Sequence, residues 1–111
     1  MVDLSFLKKF TKGDAKKMKR YISLYLDVAP KTFEEMQQNL IDKDWEQLRI
    51  NAHSLKPQAD FMGIKDLKNA LIAIEDAVKS NHCENCIGLY ESALKMHQET
   101  ETKLRQTLTL I

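Results

Sequence analysis

The chain has 111 residues, enough for one domain with a hydrophobic core and too few for a second catalytic module. It has only three Gly and two Pro, and 14 Leu against 3 Val, which excludes a sheet-rich fold and favours helices. The formal net charge is +1, so no strong overall field attracts nucleic acid.

Membrane insertion and disulfide cross-linking are also excluded. The longest apolar run is the five residues 70–74, whereas a helix needs about 18 to span a bilayer. The opening residues do not resemble a signal peptide. Cys83 and Cys86 are only three positions apart and cannot join separate elements. We therefore expect a cytoplasmic protein with no membrane partner.

Positive charge is concentrated at the N-terminal end of the chain. Residues 1–20 carry seven Lys and Arg against two acidic residues, and the remainder carries ten against fourteen. Such a run is usually a solvated helix face, and electrostatic steering of an acidic protein partner is the alternative. Because the sequence has neither a recognition-helix pattern nor an aromatic stacking platform, we expect no nucleic-acid partner.

The apolar spacing predicts six helices, of which three precede residue 42. The first covers about residues 2–11, and Asp14 caps a second helix over about 15–28. Pro30 is predicted to end this second helix, because the residue before a proline is displaced from the α region. A third helix follows over about 30–41.

The fourth predicted helix begins at Trp45 and ends near Gly63. Asp44 lies just before this helix and Gln47 lies in its first turn, and the two residues have the spacing of a capping box.

Two more helices are predicted, over about residues 64–79 and 83–109. Near-heptad spacing and short connections favour antiparallel neighbours that cross at about 20°. We predict an all-α fold, an up-down antiparallel four-helix bundle with additional short N-terminal helices. It forms a single domain over residues 1–111, with a monomer as the expected state.

The helix that begins at Trp45 carries the candidate chemistry. At 100° per residue, six apolar side chains share the face that meets the core: Trp45, Leu48, Ala52, Leu55, Ala59 and Met62. His53 lies roughly 130° from the centre of that stripe. Arg49 is one turn before it, and Lys56 is almost one turn after it. Alone, an exposed His is an ordinary surface residue. With two cations in reach, His53 is a nucleophile available to a partner, and the cations can neutralise the oxygens of a phosphoryl group.

The segment Ala52–Lys56 (AHSLK), followed by Phe61–Gly63 (FMG), resembles the signature of histidine phosphotransfer domains. These are the phosphorelay modules of two-component signalling. The resemblance extends over nearly the whole chain. It implies that His53 accepts a phosphoryl group from an aspartate of one receiver domain and passes it to another. It also implies that Lys56 neutralises the phosphoryl charge and that Gly63 leaves room for this lysine and for the partner. The alternative for Gly63 is a glycine that caps the C-terminal end of the helix.

The same resemblance defines the expected partners and cofactors. It implies response-regulator receiver domains as partners, including a hybrid sensor histidine kinase that contains one. The three glycines are isolated, so the chain lacks a glycine-rich loop for ATP. We therefore predict a phosphocarrier, not an enzyme, with no cofactor of its own. The Mg²⁺ that supports in-line transfer is expected on the receiver.

The residues around His53 lead to further expectations. Pro57 stands where the family usually has a small residue, and it removes the helical donor for the His53 carbonyl, which predicts a kink. A polar residue on the next helix often hydrogen-bonds the imidazole in the family, and that position falls on Glu75. An unattached surface glutamate is the alternative. A bond from Nδ1–H to Glu75 would leave the Nε2 lone pair for attack.

A stripe of Ile50, Pro57 and Phe61, with Asp60 two turns after His53, is suited to docking a receiver. Packing of this stripe against the N-terminal helix is the alternative.

Two other functions are weaker. Cys83, Cys86 and the adjacent His82 are ligand types for zinc, but the only extra candidate is His97, which the periodicity places toward the core. We expect no metal site. A phosphorylation-incompetent helical adaptor that binds receiver or kinase domains is the remaining alternative, and the retention of His53 and Lys56 disfavours it.

Overall fold

A computed structural model describes residues 2–111, and these residues contain no strand. The helices are α1 (Ser5–Phe10), α2 (Ala15–Asp42), α3 (Trp45–Phe61), α4 (Lys65–Lys79) and α5 (Cys86–Leu110), with a 3-10 turn (Cys83–Asn85) before α5. Helices α2 to α5 pack as a bundle in which α2 also meets α5, and the molecule measures 44 × 19 × 19 Å. The predicted all-α bundle is confirmed.

Short polar turns separate the helices. The Asp14 carboxylate accepts a hydrogen bond from the Lys17 backbone N–H at 3.2 Å and caps α2. Asp44 caps α3 in the same way through the Gln47 N–H, also at 3.2 Å. The Gln47 side chain donates to Asn51 instead of returning to Asp44, so only half of the predicted capping box is present.

The predicted break at Pro30 is wrong. The predicted helices 15–28 and 30–41 form the single helix α2, so within residues 2–111 one short helix, α1, precedes the bundle. A proline in a helix interior costs about 3 kcal/mol. Ala29 and Phe33 are buried on the two sides of Pro30, and each large apolar side chain in such a face contributes roughly 1.5–3 kcal/mol. Packing along this continuous face outweighs the local preference.

The core contains apolar side chains from every bundle helix. Five residues of the predicted α3 stripe are buried and Trp45 is half-buried. The other large, fully buried side chains include Ile22, Met36, Leu67, Leu71, Ile74 and Leu104. His97 is buried among them, as its spacing predicted. Among the described residues, no helix combines the length and apolar character that a bilayer span requires.

The N-terminal segment lies across one end of α3. Leu7 of α1 is buried, whereas the Phe6 and Phe10 rings pack edge-on against Phe61, each with a centroid distance of 5.3 Å. This contact places α1 beside the C-terminal half of the helix that carries His53.

Candidate functional site

His53 projects from α3 on the side that faces away from the core. Its side chain is 63% exposed, whereas the neighbouring Ala52 and Leu55 are buried. This orientation follows from the apolar stripe, because burial of the stripe turns the remaining face of α3 to solvent. A second protein can therefore reach the imidazole.

A single carboxylate from α4 binds both His53 and Lys56. His53 Nδ1 lies 2.9 Å from Glu75 Oε2, and Lys56 Nζ donates to Glu75 Oε1 at 2.8 Å. The Glu75 side chain is only 4% exposed. Lys79, one turn later on α4, brings its Nζ to 3.8 Å from Glu75 Oε2. The structure thus excludes the alternative of an unattached surface glutamate.

The charge on Glu75 determines which imidazole nitrogen is free. Burial raises the pKa of the Glu75 carboxyl, but hydrogen bonds from Lys56 and His53 outweigh it and hold the pKa below its ordinary value. An ionised carboxylate can only accept hydrogen bonds, so the proton of the neutral His53 ring lies on Nδ1. Nε2 therefore keeps its lone pair and can act as a nucleophile.

Arg49 does not bind at the imidazole. Its guanidinium pairs with Glu46, one turn earlier on α3. The supporting role expected for Arg49 is therefore limited to its charge near the site.

Gly63 has a different structural role from the one expected. It follows α3 with φ of +70°, a conformation that favours glycine. A Cβ at this position would lie 1.6 Å from the backbone oxygen of Asp3, and the Asp3 N–H donates to the Gly63 carbonyl at 3.0 Å. The atoms nearest to the missing side chain belong to Asp3. Gly63 therefore admits the N-terminal segment, which corrects the expectation of free space beside Lys56.

The surface from His53 to α1 is continuous. A shallow cavity of about 410 Å³ is lined by His53, Ser54, Lys56, Pro57, Asp60 and Lys68. Pro57 and Asp60 also line a second cavity of about 500 Å³, which includes Phe61 and residues of the N-terminal segment.

The predicted docking stripe has two environments. Phe61 is half-buried against α1, which matches the alternative of packing on the N-terminal helix. Pro57 and Ile50 stay exposed, and Ile50 has 42% of its surface accessible. α3 continues as one helix through Pro57.

Two lysines of α4 that the sequence analysis did not single out lie at this site. Lys79 faces Glu75, and Lys68 pairs with Asp60 at 3.2 Å. A signal for Lys68 was present, because Asp60 follows His53 by seven residues and Lys68 precedes Glu75 by seven. If two antiparallel helices bring His53 to Glu75, the same register brings Asp60 to Lys68.

The cysteines and His97 lie outside the site. Cys83 is half-buried and Cys86 buried, both as free thiols, and burial raises the pKa of Cys86 to about 11. Within residues 2–111 no three His, Cys, Asp or Glu side chains are grouped to hold a metal ion. His97 Nε2 lies 3.0 Å from Glu101 Oε2 in the interior.

Two solved structures have a fold similar to that of this chain. The fold is similar to that of histidine-containing phosphotransfer protein B (HptB) from Pseudomonas aeruginosa PAO1, with a TM-score of 0.92 and 15% identity over 99% of this chain and 96% of that one. It is also similar to the HPT domain from the Hpt sensor hybrid histidine kinase of Shewanella, with a TM-score of 0.85 and 18% identity over 99% and 95% of the two chains.

No curated protein matches the chain. At identities of 15% and 18%, the two solved structures show the fold alone. The family is shown by a sequence match. The family model for the Hpt domain matches residues 20–109, which include α3 and α4 and most of α2 and α5. The chain therefore belongs to the Hpt domain family, the histidine phosphotransfer modules of two-component signalling.

Proposed function

We propose that the protein is a phosphorelay intermediate. His53 accepts a phosphoryl group from the aspartyl phosphate of one receiver domain and passes it to the aspartate of another. The supporting observation is that an exposed imidazole is held through Nδ1 by the ionised, buried Glu75, which leaves Nε2 free. The chain acts as a phosphocarrier, and the partner supplies the phosphoryl group.

In the forward step, the Nε2 lone pair of His53 attacks phosphorus. The Nε2–P bond forms while the P–O bond to the aspartyl carboxylate breaks, and the electron pair leaves on that carboxylate oxygen. The imidazole ring gains positive charge, which the Glu75 carboxylate stabilises through Nδ1–H at 2.9 Å. Lys56 adds positive charge near the phosphoryl oxygens, and the receiver contributes the Mg²⁺. Transfer to a second receiver reverses these steps.

The receiver docks on the exposed face of α3 around His53, from Ile50 to the end of α3 that packs against α1. Pro57 and Ile50 provide exposed apolar contacts, and Asp60 is an exposed polar group between His53 and Phe61. The two cavities that share Pro57 and Asp60 make this surface continuous. We expect response-regulator receivers, or the receiver of a hybrid sensor histidine kinase, to bind here.

The proposal predicts that His53→Gln abolishes phosphorylation. A phosphorylated receiver is expected to label the wild-type protein with an acid-labile, base-stable phosphate and to leave the variant unlabelled. Because the His53 side chain is exposed, circular dichroism should show unchanged helix content. His82→Gln is the matched control, since the His82 side chain is 61% exposed outside the site.

Equal labelling of His53→Gln and wild type would refute the phosphorelay function. Binding of the receiver to wild-type protein without any labelling would also refute it and would favour the adaptor alternative.

A further inference from the structure

We propose that Lys68 of α4 is a second cation for the phosphoryl group on His53, and that Asp60 binds Lys68 until that group arrives. The inference rests on the proposed function of His53 and adds a residue to the transfer step. Lys68 contacts neither His53 nor Lys56 in the unphosphorylated site, so its role depends on a change of partner.

Lys68 and His53 line the same cavity of about 410 Å³ between α3 and α4. Because His53 Nδ1 faces the buried Glu75, the free Nε2 lies on the side of the ring away from that carboxylate. A phosphoryl group on Nε2 therefore lies on the side of the ring away from Glu75, and the ring itself lines the cavity that Lys68 also lines.

The other cations near His53 are already paired with carboxylates. Lys56 is already paired with Glu75 at 2.8 Å, and Lys79 also faces that carboxylate. Arg49 is paired with Glu46. A phosphoryl group adds on the order of two negative charges at neutral pH. One cation shared with a buried carboxylate does not balance them, and Lys68 is the other cation that lines the cavity.

Lys68 can change partner easily, because its ion pair with Asp60 is exposed. The Asp60 and Lys68 side chains are 51% and 36% exposed, with Nζ 3.2 Å from Oδ1. Exposed ion pairs of this kind stabilise a protein little. The lysine side chain is a flexible four-carbon stem, and phosphoryl oxygens bind ammonium groups strongly. We infer that Lys68 exchanges the Asp60 carboxylate for phosphoryl oxygens when His53 is phosphorylated.

The test measures the phosphoryl group on His53 directly. Phosphoramidate supplies the group without a protein partner: the Nε2–P bond forms, the P–N bond of the donor breaks, and ammonia leaves. Phosphorus NMR then reports the pKa of the phosphoryl group. Lys68→Ala is expected to raise this pKa, because a nearby cation favours the dianion. It is also expected to slow acceptance from a phosphorylated receiver by about tenfold at low salt, with a smaller effect at high salt.

Two further variants separate a specific contact from general charge. Lys103→Ala makes the same charge change at an exposed position of α5 and is expected to match wild type in both measurements. Asp60→Asn releases Lys68 and is expected to lower the phosphoryl pKa. This effect should be smaller when Asp60→Asn is combined with Lys68→Ala, because only the direct repulsion between Asp60 and the phosphoryl group is then removed, and a double-mutant cycle measures the difference.

If Lys68→Ala gives the same phosphoryl pKa and transfer rate as Lys103→Ala while His53 is still phosphorylated, the inference is overturned and the proposed function stands. If wild-type His53 accepts no phosphoryl group from either donor, the proposed function fails, and the inference fails with it.

Discussion

At the level of single residues, Glu75 determines what His53 and Lys56 can do. A buried carboxylate is costly unless it is paired and hydrogen-bonded. Here His53, Lys56 and Lys79 surround it within 3.8 Å, and the pKa of Glu75 stays low despite burial. The ion cluster therefore fixes the orientation of the His53 ring and holds a negative charge beside its Nδ1.

We predict that Glu75→Gln slows phosphoryl acceptance. The amide oxygen can still accept the His53 Nδ1–H bond, but the negative charge that stabilises the cationic ring is lost. A charge-assisted hydrogen bond is worth about 1.5–3 kcal/mol, so the rate should fall by at least about tenfold. Single-turnover transfer from a phosphorylated receiver measures this rate. Glu91→Gln, at an exposed position of α5, should transfer at the wild-type rate. A wild-type rate for Glu75→Gln would argue against electrostatic stabilisation.

At the level of the helices, packing overrides local preference at two prolines. α2 continues through Pro30 and α3 through Pro57, although each proline removes a backbone donor. In both helices the buried face runs past the proline, so ending the helix would expose the apolar side chains beyond it. The kink expected at Pro57 remains a prediction, with the His53 carbonyl as the group that loses its donor.

We predict that Pro30→Ala stabilises the protein. Alanine restores the backbone donor to the Leu26 carbonyl and removes the clash of the ring with it, a gain of about 3 kcal/mol in a helix interior. Proline restricts the unfolded chain, and losing that restriction costs about 1 kcal/mol. The free energy of unfolding in urea should therefore rise by about 2 kcal/mol with an unchanged m-value. Lys31→Ala, at an exposed neighbour, should change little. A fall in stability would show that the Pro30 ring supplies packing that α2 needs.

At the level of the whole molecule, two buried titratable groups lie in different interfaces of the bundle. Glu75 lies between α3 and α4. His97 lies between α2 and α5, where its ring stacks on Phe33 at 4.6 Å and its Nε2 is 3.0 Å from Glu101. Burial lowers the pKa of His97 below its ordinary value of 6.5, and this outweighs the opposing effect of Glu101. Each group therefore couples protonation to unfolding.

Because of these two groups, we predict that the free energy of unfolding depends on pH in two separate ranges. Below about pH 6.5 the unfolded chain binds a proton at His97 that the folded protein resists, so stability falls as the pH drops toward the lower folded pKa. Glu75 contributes stability above its ordinary pKa of 4.5, and this is lost as the pH falls through the lower folded value.

Urea unfolding between pH 7.5 and 3.5 tests these two ranges. His97→Leu should flatten the pH dependence in the upper range alone, because Glu101 keeps its pairing with Arg105 at 3.1 Å. Glu75→Gln should flatten it in the lower range. An unchanged slope between pH 6.5 and 5 in His97→Leu would contradict the assignment to His97.

The sequence by itself determined the local features of this protein. Helical periodicity placed His53 outward and His97 inward, and short polar side chains at Asp14 and Asp44 marked the helix starts. The resemblance to a phosphotransfer signature then supplied the roles proposed for His53 and Lys56. These features could be predicted because a 3.6-residue period and a cap involve residues within a few positions of one another.

Only the tertiary structure decided which distant residues meet. It showed that α2 is continuous through Pro30 and that Gly63 accommodates Asp3. It also showed that Glu75 is a buried hydrogen-bond partner of His53 and that Lys68 lines the same cavity as His53. Each of these depends on the register between separate segments or on the energy of a shared core. The helical period of one segment does not specify the neighbour that covers it, so periodicity alone could not decide among the possible contacts.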